Sequence, residues 1–352
     1  MRYLVLLSMA ILVAGCGENP PPTTPFALSV PQGFPPPPIP EDNPLTVEGI
    51  LLGRRLFYDP VLSRDSTQSC ASCHNTAFGM TDHGLQFSVG ITGAVGDRNS
   101  MPLHNLAYHR AFFWDGRAPS LRELTLIPIQ DPREMDHSVP AVLTSLNANP
   151  TYRDLFWKAF GVRSITAEEV GLAMEQFLLT IMSGSSKFDR FARGLESLTP
   201  EEQQGLQLFN GEANPNAPTR GADCFHCHGG TLFTNHKFMN NGLDAVITDP
   251  GLGGVTGNPN DNGKFKVPSL RNLAYTAPYM HDGRFQTLMQ VVEFYNSGTH
   301  ANSPNIDPSM GDIIRSGGLG LNLQERMALV AFLNTLTDTS VETDTLFQNP
   351  FN

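Results

Sequence analysis

Two pentapeptides constrain this chain more than any other feature of it: Cys70-Ala71-Ser72-Cys73-His74 and Cys224-Phe225-His226-Cys227-His228. In a C-x-x-C-H segment the two thiols are spaced to add across the vinyl groups of one porphyrin, and the adjacent histidine is carried to the iron as its proximal ligand. The sequence has 5 cysteines; these motifs use four, and the fifth is Cys16. A redox dithiol would need neither the histidine nor a second copy, and a zinc site would not bring the duplicated frame described next. The spacing predicts two covalently bound c-type haems, one held by Cys70, Cys73 and His74, the other by Cys224, Cys227 and His228.

The motifs sit in a repeated frame, the mark of a duplicated supersecondary unit. Gly53, Leu56 and Phe57 precede the first motif; Gly205, Leu208 and Phe209 precede the second. Further on, residues 105–121 (NLAYHRAFFWDGRAPSL) match residues 272–288 (NLAYTAPYMHDGRFQTL) at eight of seventeen positions. Each copy closes on apolar residues at helical spacing: Phe177, Leu178 and Ile181, then Phe332, Leu333 and Leu336. Thr166 with Glu169 and Thr199 with Glu202 read as capping boxes, the second with Pro200 at the first helical position. With 32 glycines and 28 prolines, much of the remaining backbone is irregular. The expected fold is mainly α: two tandem cytochrome c-like haem domains, residues 45–190 and 191–342, with long loops and few strands.

The N-terminus reads as an address. Met1 and Arg2 precede an apolar run from Tyr3 to Ala14, too short to span a bilayer and suited to a signal peptide. Leu12-Val13-Ala14-Gly15-Cys16 is similar to a bacterial lipobox, so residues 1–16 are expected to be a lipoprotein signal ending on a lipidated Cys16. The alternative is an ordinary cleaved signal with an incidental cysteine. Residues 17–44, rich in proline, are expected to form a semi-rigid tether. A net charge of -11 argues against a nucleic-acid partner, and a protein docking here should present a basic patch.

Beyond the haem motifs, several segments are similar to those of the bacterial di-haem cytochrome c peroxidase family, which includes MauG, over roughly residues 45–340. Phe113-Trp114-Asp115-Gly116-Arg117 resembles the family's FWDGR. Pro128 with Glu134-Met135 resembles the segment carrying the distal acid, and residues 276–283 (TAPYMHDG) resemble the TAPYxHxG stretch. The resemblance implies that the N-terminal haem is peroxidatic, with Glu134 as acid–base group, and that the C-terminal haem transfers electrons. It also implies that Trp114 lies between the haems and that Asn99 with the carbonyls of Thr276 and Pro278 holds a calcium ion.

Three departures from the family pattern matter. Where many members carry a S-x-G-H loop whose histidine caps the first iron, this chain reads Ser88-Val89-Gly90-Ile91, and isoleucine cannot ligate. The first haem should therefore be open at rest. The distal ligand of the second haem is usually Met, but the matching position is Tyr295, whose phenolate would lower the potential; both departures resemble MauG. Met280 is the rival ligand, with Tyr295 then packing in a helix with Leu288, Val291 and Val292. A family Gln near the distal acid is replaced by Leu124. Met80 follows His74 too closely to ligate and is expected to pack. His104, His109, His137 and His300 are expected at the surface or at the outer edge of the site, and His281 beside the ligand loop.

The resemblance implies an oxidoreductase using hydrogen peroxide, with MauG-like oxidation of a Trp or Tyr on a partner protein through a bis-haem high-valent state. The alternative is a cytochrome c peroxidase fed by a small cytochrome or cupredoxin; a simple electron-transfer cytochrome fits less well. The expected setting is the periplasmic side of a bacterial membrane, reached through the lipid anchor.

Overall fold

In each half of the chain an early helix crosses a late one at a glycine. In the computed structural model, which describes residues 19–82, 84–213, 220–311, Ile313 and 317–351, Val47–Tyr58 packs on Ala167–Thr180 and Pro200–Asn210 on Leu323–Asn334. A Cβ on Gly53 would stand 1.9 Å from the Ala173 carbonyl oxygen, and one on Gly205 would stand 1.9 Å from that of Ala328. Only a residue without a side chain lets the two backbones approach this closely. The helix starts are specified locally. Thr166 with Glu169, Thr199 with Glu202 and Asn322 with Glu325 each form a reciprocal capping box, and Pro200 opens its helix.

Around each crossing lies a separate apolar core. The first contains Leu52, Leu56, Phe57, Phe156 and Phe177, with the Phe57 and Phe177 rings 5.3 Å apart. The second is built on Phe209, Phe233 and Phe332, with Phe188 edge-on to Phe332. The chain is mainly helical; the named strands among the described residues are Phe238–Met239 and Phe265–Lys266, paired antiparallel.

The sequence repeat is also a repeat of backbone shape. Asn105 and Asn272 both take left-handed backbone (φ 59° and 65°) and each leads into a short turn. The Asn105 N–H donates to the Ile181 carbonyl at 2.8 Å, and the Asn272 N–H donates to that of Leu336 at 3.1 Å. Each asparagine thus ties its loop to the end of the late helix of its own half.

Where the halves join, Asp338 accepts from the backbone N–H of Gly184 (2.8 Å) and Ser185 (2.9 Å), and buried Arg271 pairs with Asp189 at 2.8 Å. Val341 and Phe347 are buried in the first core, so the chain's last segment returns to the first half. The proline-rich segment, where described, makes contacts with the rest of the chain. Phe26 donates to the Leu45 carbonyl, Tyr108 donates to that of Pro35, and the Arg271 guanidinium lies 4.7 Å from the Phe34 ring. Proline's lack of an N–H suits a segment that lies on a surface by side-chain and carbonyl contacts. The expected signal segment and Cys16 fall outside the described residues, and no described helix is long and apolar enough to cross a membrane.

Candidate functional site

The first motif forms a single helical turn, Cys70–Cys73, with His74 at its end. The His74 Nδ1 lies 2.9 Å from the Met80 carbonyl oxygen. Giving its Nδ1 proton to that carbonyl leaves Nε2 as a free donor atom. Met80 is fully buried, packed in the core as its closeness to His74 predicts, and its left-handed backbone (φ 61°) aims the carbonyl. The second motif repeats the device at Phe225–His228: His228 Nδ1 lies 3.2 Å from the Phe233 carbonyl. Burial lowers His74 from the ordinary histidine range and brings His228 down to about 4, so both imidazoles are neutral near pH 7. Burial also pushes the Cys70 and Cys224 thiols up to about 12. Two neutral imidazoles, each with one nitrogen anchored and one free, fit the proximal position of a haem iron.

A cavity beside the first motif is lined by Cys70, Cys73, His74, Trp114, Leu124 and Glu134. Burial raises the Glu134 carboxyl above the ordinary carboxylate range and Asp131 adds to this, against the pull of Arg117 and Arg133. The Ile91 loop lies directly on the backbone of this residue: the Ile91 N–H donates to the Glu134 carbonyl at 3.0 Å. A Cβ on Gly90 would be 2.2 Å from the Arg133 carbonyl oxygen, so the loop is pressed too close for any other residue.

Trp114 stands between the halves. Its Nε1–H donates to the Asn99 carbonyl at 2.9 Å, and its own carbonyl accepts from the Lys266 N–H at 2.8 Å. Next to it, Arg98 joins Asp115 (2.5 Å) of the first half to Asp249 (2.8 Å) of the second. Asn99 is buried, and its N–H donates to the His281 carbonyl at 2.7 Å. Gly84 N–H reaches the Ala277 carbonyl at 3.3 Å in the same weave. The structure thereby sets Asn99 alongside the loop that contains Thr276 and Pro278. The His281 ring stacks on Phe265 with centroids 3.7 Å apart.

Tyr295 lies in a π-helical turn, Phe294–Gly298, of the kind that interrupts helices at functional sites. Its Oη accepts from Asn241 Nδ2 at 3.0 Å, and the same nitrogen lies 3.8 Å from Met280 Sδ. Both candidate ligands therefore converge on one place. Burial pushes the Tyr295 phenol up to about 12, so a nearby cation is needed to draw off its proton. Asn241 was not legible in the sequence, where it is one polar residue in a polar loop.

Of the histidines expected at the surface or at the outer edge, His104 is 2% exposed and neither ring nitrogen has a hydrogen-bond partner among the described residues. His109 is also enclosed, and burial drives its pKa well below the ordinary value. They are inside because the loops carrying them run between the halves.

Residues 47–197 match the family described as di-haem cytochrome c peroxidase. The methylamine utilization protein MauG of Methylorubrum extorquens is 38% identical over 85% of this chain and 81% of its own length. The cytochrome c551 peroxidase of Nitrosomonas europaea is 34% identical over 85% of this chain and 83% of its own. Among solved structures, a MauG-like protein associated with microbial copper homeostasis is 34% identical and superposes with a TM-score of 0.81, covering 93% of this chain and 100% of that one.

Proposed function

The chain belongs to the di-haem cytochrome c peroxidase family, and we propose that within it this oxidoreductase draws two electrons from a Trp or Tyr side chain of a partner protein to reduce hydrogen peroxide. Relatives of both kinds, MauG and cytochrome c peroxidases, resemble it, so the choice rests on the second haem site. What supports it is Tyr295, which the resemblance aligns with the usual Met ligand and whose Oη has a hydrogen-bond donor, Asn241, at 3.0 Å. An anionic oxygen ligand favours oxidised iron and makes that haem a poor acceptor from ordinary donors.

When bound, the two haems supply the redox chemistry and store oxidising equivalents. The first would be held by Cys70, Cys73 and His74, the second by Cys224, Cys227, His228 and Tyr295. Glu134 would take a proton from one peroxide oxygen and return it to the other as the O–O bond breaks; two further protons and two electrons complete two waters. A carboxyl raised by burial holds and releases that proton more readily at neutral pH than an exposed one. Trp114 would couple the sites electronically. Ile91, which cannot ligate, would leave the Glu134 side of the cavity without the histidine cap that many family members carry. Asn99 and the carbonyls of Thr276 and Pro278 would hold a calcium ion between the halves, and hard oxygen donors of this kind suit it. Lipidated Cys16 would keep the protein on the periplasmic side of a membrane; Cys16→Ser should release it in soluble form.

The test is to add hydrogen peroxide to the holoprotein with and without a candidate partner. Mass spectrometry should find a modified Trp or Tyr on the partner. Fast turnover with a reduced small cytochrome, and an unmodified partner, would favour the second reading, a conventional peroxidase; the named peroxidase relatives are what support that reading.

A further inference from the structure

We infer that Lys266, reaching from the second half with His109 and His236 beside it, forms an anion site for a propionate carboxylate of the first haem. The inference rests on the chain's haem-family membership and is independent of which donor the enzyme oxidises.

Lys266 is 5% exposed. Its Nζ lies 3.3 Å from the Ala111 carbonyl oxygen and 3.4 Å from His109 Nδ1. An ammonium has three protons to donate, and one carbonyl oxygen with one neutral imidazole nitrogen cannot take them all, so these neighbours leave it undersatisfied. Among the described residues no carboxylate pairs with it, and burial alone brings it down to about 8. The surroundings are basic as well. The His109 and His236 rings meet edge to face at 5.1 Å, and His236 Nδ1 is buried with no partner among the described residues. His104, whose ring nitrogens have no partner among the described residues, lines the same space, and the charge of Arg110 helps to lower His236. A buried lysine among imidazoles with no counter-charge is costly in general and persists where an anion joins it.

The cavity identifies that anion. Lys266, His104 and His109 line the same space as Cys70, Cys73 and His74. Thioether bonds form at the vinyl edge of a porphyrin, and the propionates leave from the opposite edge, so a haem fixed by Cys70 and Cys73 brings ionised carboxylates into this space. The position has a second consequence. The Lys266 backbone N–H donates to the Trp114 carbonyl at 2.8 Å. One residue would thus hold the Trp114 loop by its main chain and seat the first haem by its side chain, making Lys266 a positioning residue for the coupling between sites.

The experiment uses the di-haem protein and two readouts other than activity: potentiometric titration of each haem, and the propionate bending modes in the resonance Raman spectrum. In Lys266→Met the backbone bond to Trp114 remains while the cation is lost. The reduction potential of the first haem should fall, that of the second should hold, and the propionate modes should shift; Lys266→Arg should stay close to wild type. If the Met variant does not accumulate, Lys266→Gln keeps a donor without the charge and should show the same fall. An unchanged first-haem potential in whichever neutral variant accumulates overturns the proposal. A wild-type first-haem potential that tracks chloride or phosphate concentration also overturns it, because a solvent anion would then occupy the site.

Discussion

Trp114 and His281, which occupy equivalent positions in the two copies of the repeat, are fastened to the same residue. The Asn99 carbonyl accepts from Trp114 Nε1 at 2.9 Å, while the Asn99 N–H donates to the His281 carbonyl at 2.7 Å. The indole is therefore held against both halves at once, in one orientation.

Trp114→Phe keeps an aromatic ring but removes the donor to the Asn99 carbonyl. The first haem should still react with peroxide, while oxidation of the second should slow by orders of magnitude. Rapid-mixing absorption spectroscopy, followed at bands of each haem, checks this; equal rates at the second haem in variant and wild type would remove Trp114 from the path.

Tyr295→Phe should change the low-spin ferric spectrum of the second haem, and Met280→Leu should leave it largely intact. Asn241 lies within reach of both side chains, so Asn241→Leu should shift the same signal by a smaller amount. Electron paramagnetic resonance of the oxidised protein makes the comparison, and a change confined to Met280→Leu would assign the ligand to sulfur. In the wild type a high-spin signal should accompany the low-spin one, because Ile91 cannot cap the first iron.

Glu134→Gln should slow the reaction with peroxide roughly 10²- to 10⁴-fold, the usual contribution of a positioned acid–base group. Its carboxyl must be deprotonated to accept the first proton. The wild-type rate should therefore fall as pH drops through a value above the ordinary carboxylate range, since burial raises it. The Gln variant should lack that limb in a stopped-flow pH series.

Asp338→Ala should destabilise the junction of the halves by roughly 3 kcal/mol at neutral pH, because it orphans buried N–H groups of Gly184 and Ser185. Burial works to raise the Asp338 carboxyl, but the donors of Ser340, Ser185 and Gly184 outweigh it and hold it below the ordinary value. With the folded value depressed, its contribution is complete above about pH 4 and is lost as pH falls through the folded value. Chemical denaturation should show the gap between variant and wild type closing under acid.

Gly205→Ala should cost roughly 1–3 kcal/mol by forcing apart helices whose backbones meet there. The added Cβ would lie 1.9 Å from the Ala328 carbonyl oxygen. Thermal unfolding of the holoprotein should show the loss, with haem attachment unaffected.

Short-range chemistry was legible in the sequence alone. The C-x-x-C-H motifs, the capping boxes at Thr166 and Thr199, the glycines of the two early helices and the repeat around Asn105 and Asn272 involve residues a few positions apart or patterns that recur. The motifs, caps and asparagines express local requirements of covalent attachment, helix initiation or backbone conformation, and the glycines stood out because their pattern recurs. Contacts between residues far apart in the chain were decided only by the tertiary structure. Nothing near Lys266 in sequence marks it as the neighbour of His109, 157 positions earlier, or as a buried cation. Asn241 meets Tyr295 across 54 residues, and the proline-rich segment lies on Arg271 and Tyr108 where its composition suggested only stiffness. The physical reason is that burial and electrostatic partnership depend on which loops the two helix crossings bring together. A polar residue in a loop carries no periodic pattern from which that outcome can be read.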